Sequence, residues 1–98
     1  PNPSLKLDPL ENRLTAISLR KKCFERIPSA TNTILLFDHV EALILWLYEK
    51  SMISPEEKLL NKFDKCKALA LGTKNFNERN LAVNTAINLA SKIAEKEF

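Results

Sequence analysis

Glycine and histidine each occur once in the 98 residues, as do tryptophan and tyrosine, and cysteine occurs twice. A single glycine, Gly72, excludes a glycine-rich phosphate loop, a dinucleotide-binding fingerprint and the tight two-residue hairpins of a small β domain. A single histidine, His39, excludes any site built from two or more. Cys23 and Cys66 are too few for the disulfide framework of a small secreted domain, and they lack C-x-x-C spacing. With no signal peptide, lipidation motif or transit sequence in view, they read as buried, reduced thiols of an intracellular, cytoplasmic protein. Alternating β-branched residues are absent, so no strands are expected. The longest apolar stretch, Ile34–Tyr48, has twelve apolar residues in fifteen and is interrupted by Asp38, His39 and Glu41. A membrane-spanning helix needs about 20 apolar residues, so this stretch reads as a core helix with no membrane partner.

Apolar residues make up 45% of the chain and charged residues 28%. A chain of this size buries about two-thirds of its unfolded surface, enough for one core. Lys and Arg total 15 against 12 acidic residues, for a net charge of +3. That balance permits an anionic partner without requiring one.

The prolines and the glycine punctuate the chain into helices. Asp8-Pro9-Leu10-Glu11 has the pattern of an N-terminal cap, with proline at the first helical position and glutamate three residues after the cap. The helix it opens places Leu10, Leu14, Ile17 and Phe24 on one face and stops before Pro28. Ser29–Thr33 reads as a polar loop, with the second helix starting within Thr31–Thr33 and running to about Met52. Ser54-Pro55-Glu56-Glu57 repeats the cap-proline device, and the third helix carries Leu59, Leu60, Phe63, Cys66 and Ala70 up to a C-cap at Gly72. Asn75-Phe76-Asn77-Glu78 opens the fourth, with Asn75 or Asn77 serving the cap. The expectation is an all-α fold, a compact four-helix bundle or short helical array. Its helices lie near 9–27, 33–52, 55–71 and 76–97, after an extended tail over 1–8. The second helix, apolar over most of its circumference, is the central element sheltered by the other three. Ala82, Ala86, Ala90 and Ala94, with Val83, Leu89 and Ile93, form a small-residue seam on the fourth helix, suited to a close antiparallel pairing with the third. Its Ala82-x-x-x-Ala86-x-x-Leu89 spacing is similar to that of helical-hairpin repeats such as tetratricopeptide repeats over about a third of the chain. The tryptophan and tyrosine positions of that pattern are missing and no second copy of the period follows, so the chain is not assigned to that family.

Chemistry-bearing constellations are sparse. With one histidine and no paired cysteines, no metal site and no cofactor site is expected. Asp38, Glu41 and Glu49 read as the thin solvent-facing strip of the second helix. Cys23 or Cys66 with His39 as base is the one nucleophilic pairing available, and nothing in the spacing brings them together. The expectation is a protein that is not an enzyme and has no small-molecule substrate.

Two surface stripes rise above this background. Lys58, Lys62 and Lys65 fall within about 60° of helical arc, suited to weak, salt-sensitive contact with nucleic-acid phosphates. Arg20-Lys21-Lys22 and Arg26 add charge on the first helix. On the fourth helix, Asn77, Asn80, Asn84 and Asn88 fall within about 80° of arc. Asparagine is a poor helix former, so four in line suit a recognition surface whose amides bond to a partner. The sequence therefore predicts a non-catalytic helical protein–protein interaction module, an adaptor or regulatory domain, binding through the asparagine face. Self-association is the close variant, and a basic nucleic-acid-binding accessory domain using the lysine stripe is the alternative.

Overall fold

The chain folds as four α-helices in the computed structural model, which describes residues 7–50 and 57–97. They are α1 (Leu7–Arg26), α2 (Ala30–Lys50), α3 (Glu57–Gly72) and α4 (Phe76–Glu97). No strand occurs among the described residues. The all-α expectation holds, and α4 has the expected bounds. Other boundaries move. α1 starts at Leu7, so the backbone is already helical at Asp8, and Pro9 is accommodated in the first turn, where its missing N–H has no partner to lose. Met52 and the Ser54-Pro55-Glu56 start signal lie outside the described residues.

The corner between α1 and α2 is tighter than the expected polar loop. Ser29 caps α2: its hydroxyl accepts from the Asn32 backbone N–H at 3.1 Å. Asn32 and Thr33 are thus first-turn residues. The Asn32 amide donates to the Ile27 carbonyl at 2.7 Å, serving the C-terminal end of α1. Thr33 is fully buried, and its hydroxyl donates to the Ser29 carbonyl at 2.7 Å. Three residues, Ile27–Ser29, connect the two helices.

A second polar knot starts α4. The Glu78 N–H donates to Asn75 Oδ1 at 3.2 Å, and the Asn75 N–H donates to Thr73 Oγ1 at 3.1 Å. Thr73 Oγ1 in turn donates to the Glu78 carboxylate at 2.7 Å, closing a ring that a strict capping box would make in one step. Asn75 is the cap, and Asn77 belongs to the exposed face beyond it.

Both connections reverse the chain. Arg13 lies over the Trp46 ring at 5.1 Å, pairing the start of α1 with the end of α2. Leu59 shares a surface groove with Leu89 and Ile93, pairing the start of α3 with the end of α4. Two antiparallel helical hairpins therefore stack, with α2 packed on α1, α3 and α4. The core is drawn mainly from the centre and from the alanine seam: Leu36, Phe37, Val40, Leu43, Ile44 and Leu47 of α2 against Ala82, Val83, Ala86, Ala90 and Ile93 of α4. Burying a Leu, Val or Phe side chain stabilises the fold by about 1.5–3 kcal/mol, so α2 dominates the balance. By length and composition α2 could also cross a membrane, since the helix extends beyond its apolar stretch; here those six side chains face protein.

The hairpins are joined at one end of the molecule. Phe24 of α1 stacks on Phe76 of α4 with centroids 6.0 Å apart, and Phe37 packs obliquely on Phe63 of α3 at 5.7 Å. Arg79 is the polar counterpart. Its guanidinium donates to the carbonyls of Ala70 at 2.9 Å, Thr73 at 2.6 Å and Pro28 at 2.5 Å. The first two are open carbonyls at the negative end of α3, where a cation is favoured.

Three expectations about individual residues are corrected. Leu14 is exposed, because the buried line on α1 runs Leu10, Ile17, Phe24 at seven-residue intervals and Leu14 falls to its flank. Cys23 is exposed as well, on the opposite flank, while Cys66 is half-buried. Gly72 does not cap α3 in the left-handed conformation: it is the last helical residue, its φ is not positive, and a Cβ there would meet open space.

Candidate interaction surfaces

Four faces of the two hairpins present chemistry to solvent. The asparagine stripe on α4 is formed as spaced: Asn77 and Asn88 are exposed, and Asn80 and Asn84 are half-buried beside them. Exposed Leu81 lies along the stripe's edge. Asn80 and Asn84 flank the buried alanine seam, which accounts for their partial burial.

The lysine stripe on α3 is also formed. Lys58, Lys62 and Lys65 are all exposed and line one open surface depression with Asn61. Exposed Leu69 continues the line at the next helical turn. The positive field reaches Cys66, but weakly. Burial pushes the Cys66 thiol above the usual thiol range, and Lys62 only partly offsets this.

The third face went unread in the sequence. An open groove runs along the outer side of the α1–α2 hairpin, lined by Ala16, Leu19, Arg20, Cys23 and His39, and a second depression continues it past Arg26, Ile27 and Asn32. Cys23 and His39, unrelated by spacing, thus share one groove. No hydrogen bond joins them among the described residues. Leu19, Cys23 and Ile27 recur every four residues, a second apolar line on α1 about a third of the helix circumference from the buried one. That periodicity was the available signal. What concealed it is that an amphipathic helix does not announce which of its apolar lines finds cover.

On α2, Asp38 and Glu49 are exposed and Glu41 is half-buried, and the strip they form includes exposed Ile34, Ala42 and Leu45. It is a mixed acidic and apolar face. Leu43 and Trp46 are covered as expected, Leu43 wholly and Trp46 in part. Among the described residues, no three His, Cys, Asp or Glu side chains group to hold a metal ion.

No protein-family model, curated protein or solved structure matches the chain.

Proposed function

We propose that the protein is a non-catalytic helical interaction module, an adaptor or regulatory domain that binds another protein through an exposed helical face. The observation that carries this reading is the α4 surface, where Asn77, Asn80, Asn84 and Asn88 stand in line beside exposed Leu81. Amides around an exposed leucine combine the adaptable hydrogen bonding and apolar contact of protein-binding patches. A face that merely solvates the helix has no need of four residues that each weaken it by several tenths of a kcal/mol relative to alanine. The module's rigidity comes from α2 and the alanine seam, so a partner meets a preformed surface.

The test is partner capture by the double variant Asn84→Lys, Asn88→Lys. Two long cations on the stripe abolish capture of the protein that wild type retains, while thermal stability stays nearly unchanged. Undiminished capture by a folded double variant removes the asparagine face from consideration.

A second reading has its own supporting observation, the shared depression of Lys58, Lys62, Lys65 and Asn61. Three lysines held together there suit phosphate contact, which would make the domain a nucleic-acid-binding accessory, with Arg20 and Arg26 contributing from α1. That reading requires retention of DNA or RNA at about 50 mM salt, steep loss by about 200 mM, and loss in the Lys58→Glu, Lys62→Glu, Lys65→Glu variant.

A further inference from the structure

The α1–α2 hairpin carries two surfaces that complement each other and cannot meet within one chain. The groove is basic over an apolar floor: Arg20, Arg26 and His39 border it, Ala16, Leu19, Cys23 and Ile27 floor it, and none of the residues lining it is acidic. Leu19 and Ile27 are 57% and 64% exposed, far more than single apolar residues covered by their neighbours. The strip on α2 is the reverse. Ile34, Asp38, Ala42, Leu45 and Glu49 are all exposed, Ile34 and Leu45 by 42% and 55%, and no residue among them is basic. Arg20, Arg26, Asp38 and Glu41 form no ion pair among the described residues.

The dimensions match as well as the charges. At 1.5 Å per residue the groove from Ala16 to Ile27 is about 16 Å long, and the apolar span of the strip from Ile34 to Leu45 is also about 16 Å. Ala42 on the strip and Ala16 in the groove are small enough to let two helices approach closely. Because strip and groove lie side by side on one hairpin, a two-fold axis can place each strip in the other copy's groove, closing the pair without leaving either surface open. Such a contact needs about 800 Å² from each copy, roughly an eighth of the 6282 Å² surface of the chain.

We infer that the α1–α2 hairpin is a self-association face, on which the acidic, apolar α2 strip of one copy lies in the basic groove of a second copy, and the reverse. This does not rest on the partner-binding face of α4, and the two are read by different measurements.

Sedimentation equilibrium of the full chain across about 1–200 μM, at about 0.05 M salt, tests it. The expected mass rises toward twice 11.2 kDa. Two variants invert the charges separately: Arg20→Glu with Arg26→Glu, and Asp38→Lys with Glu41→Lys. Each alone sets like charges against each other in both halves of the contact and weakens pairing by about tenfold or more. Mixed in equal amounts, the two variants pair again, because reversed groove meets reversed strip in one half and native groove meets native strip in the other. Leu45→Ser probes the apolar part and weakens pairing without any change of charge. Circular dichroism confirms the helical content of every variant. A mass of 11.2 kDa at all concentrations overturns the inference. So does pairing that neither charge variant disturbs, and so does failure of the folded variants to pair on mixing.

Discussion

Arg79 Nη1 donates to the Pro28 carbonyl across 51 positions of sequence, at 2.5 Å, and so ties the start of α4 to the corner between α1 and α2. The same guanidinium holds two carbonyls at the end of α3. One planar fork therefore serves both hairpins, a task that a lysine ammonium cannot perform with the same geometry. Arg79→Met is expected to cost about 2–4 kcal/mol, since charged hydrogen bonds contribute about 1.5–3 kcal/mol each and losses at one centre do not add. Arg79→Lys should fall between wild type and Met. A shift of the urea midpoint at constant slope measures both; an unmoved midpoint would show the link to be idle.

Gly72 offers a change of opposite sign. It is helical, its φ is not positive, and nothing lies within 4 Å of where a Cβ would stand. Gly72→Ala should therefore stabilise the protein by about 0.5–1 kcal/mol, through a lower entropy of the unfolded chain and better helix propensity. For a domain of this size that is a rise in Tm of about 2–8 °C. A fall in Tm would mean that the end of α3 needs a conformation the structure does not show.

The same glycine marks where sequence reading reached its limit. Periodicity exposed the α2 core and the Ala82-Ala86-Ala90-Ala94 seam, because burying one face imposes a repeat that is visible in one dimension. Start signals were legible where the cap and the first turn adjoin, as at Asn75 and Glu78. Ser29 does not stand out as the cap in sequence because three polar residues after it could all cap, and only geometry chooses among them. Arg79 was invisible for a different reason: its partners are backbone carbonyls, which every residue possesses. At the candidate sites, both stripes could be placed by helical spacing alone. The groove of Leu19, Cys23 and Ile27 required knowing on which flank of α1 the protein ends and solvent begins.

The two thiols should differ in reactivity. Cys23 is exposed, whereas burial raises the pKa of half-buried Cys66. The thiolate is the reacting form, so at about pH 8 an alkylating reagent should modify Cys23 well before Cys66, as read by mass spectrometry of the peptides. Lys62→Gln removes the one opposing influence and should slow Cys66 further. The linkage has a definite sign. A thiol whose folded pKa lies above its unfolded value binds its proton more tightly when folded, so its contribution is complete below the ordinary thiol range and is lost as pH rises through the raised value. Cys66→Ser should lessen the alkaline loss of stability, and equal labelling rates for both cysteines would contradict the burial.

The alanine seam supplies the sharpest test of the packing. Ala86 is 1% exposed between α4 and the rest of the core, and its neighbours along the seam are also buried. A leucine there adds three carbons where the helices have closed on a methyl group. Side chains must leave their rotamers or the helices must part, at a cost of about 1–3 kcal/mol. Ala68, exposed on α3, provides the matched control, because the same substitution has the same small effect on helix propensity there. Ala68→Leu should change stability by no more than about 0.5 kcal/mol. Thermal melting of the two variants side by side separates close packing from a general intolerance of larger residues. If Ala86→Leu melts with Ala68→Leu, α4 does not approach its neighbours through this seam, and the stacking of the two hairpins must be sought on another face.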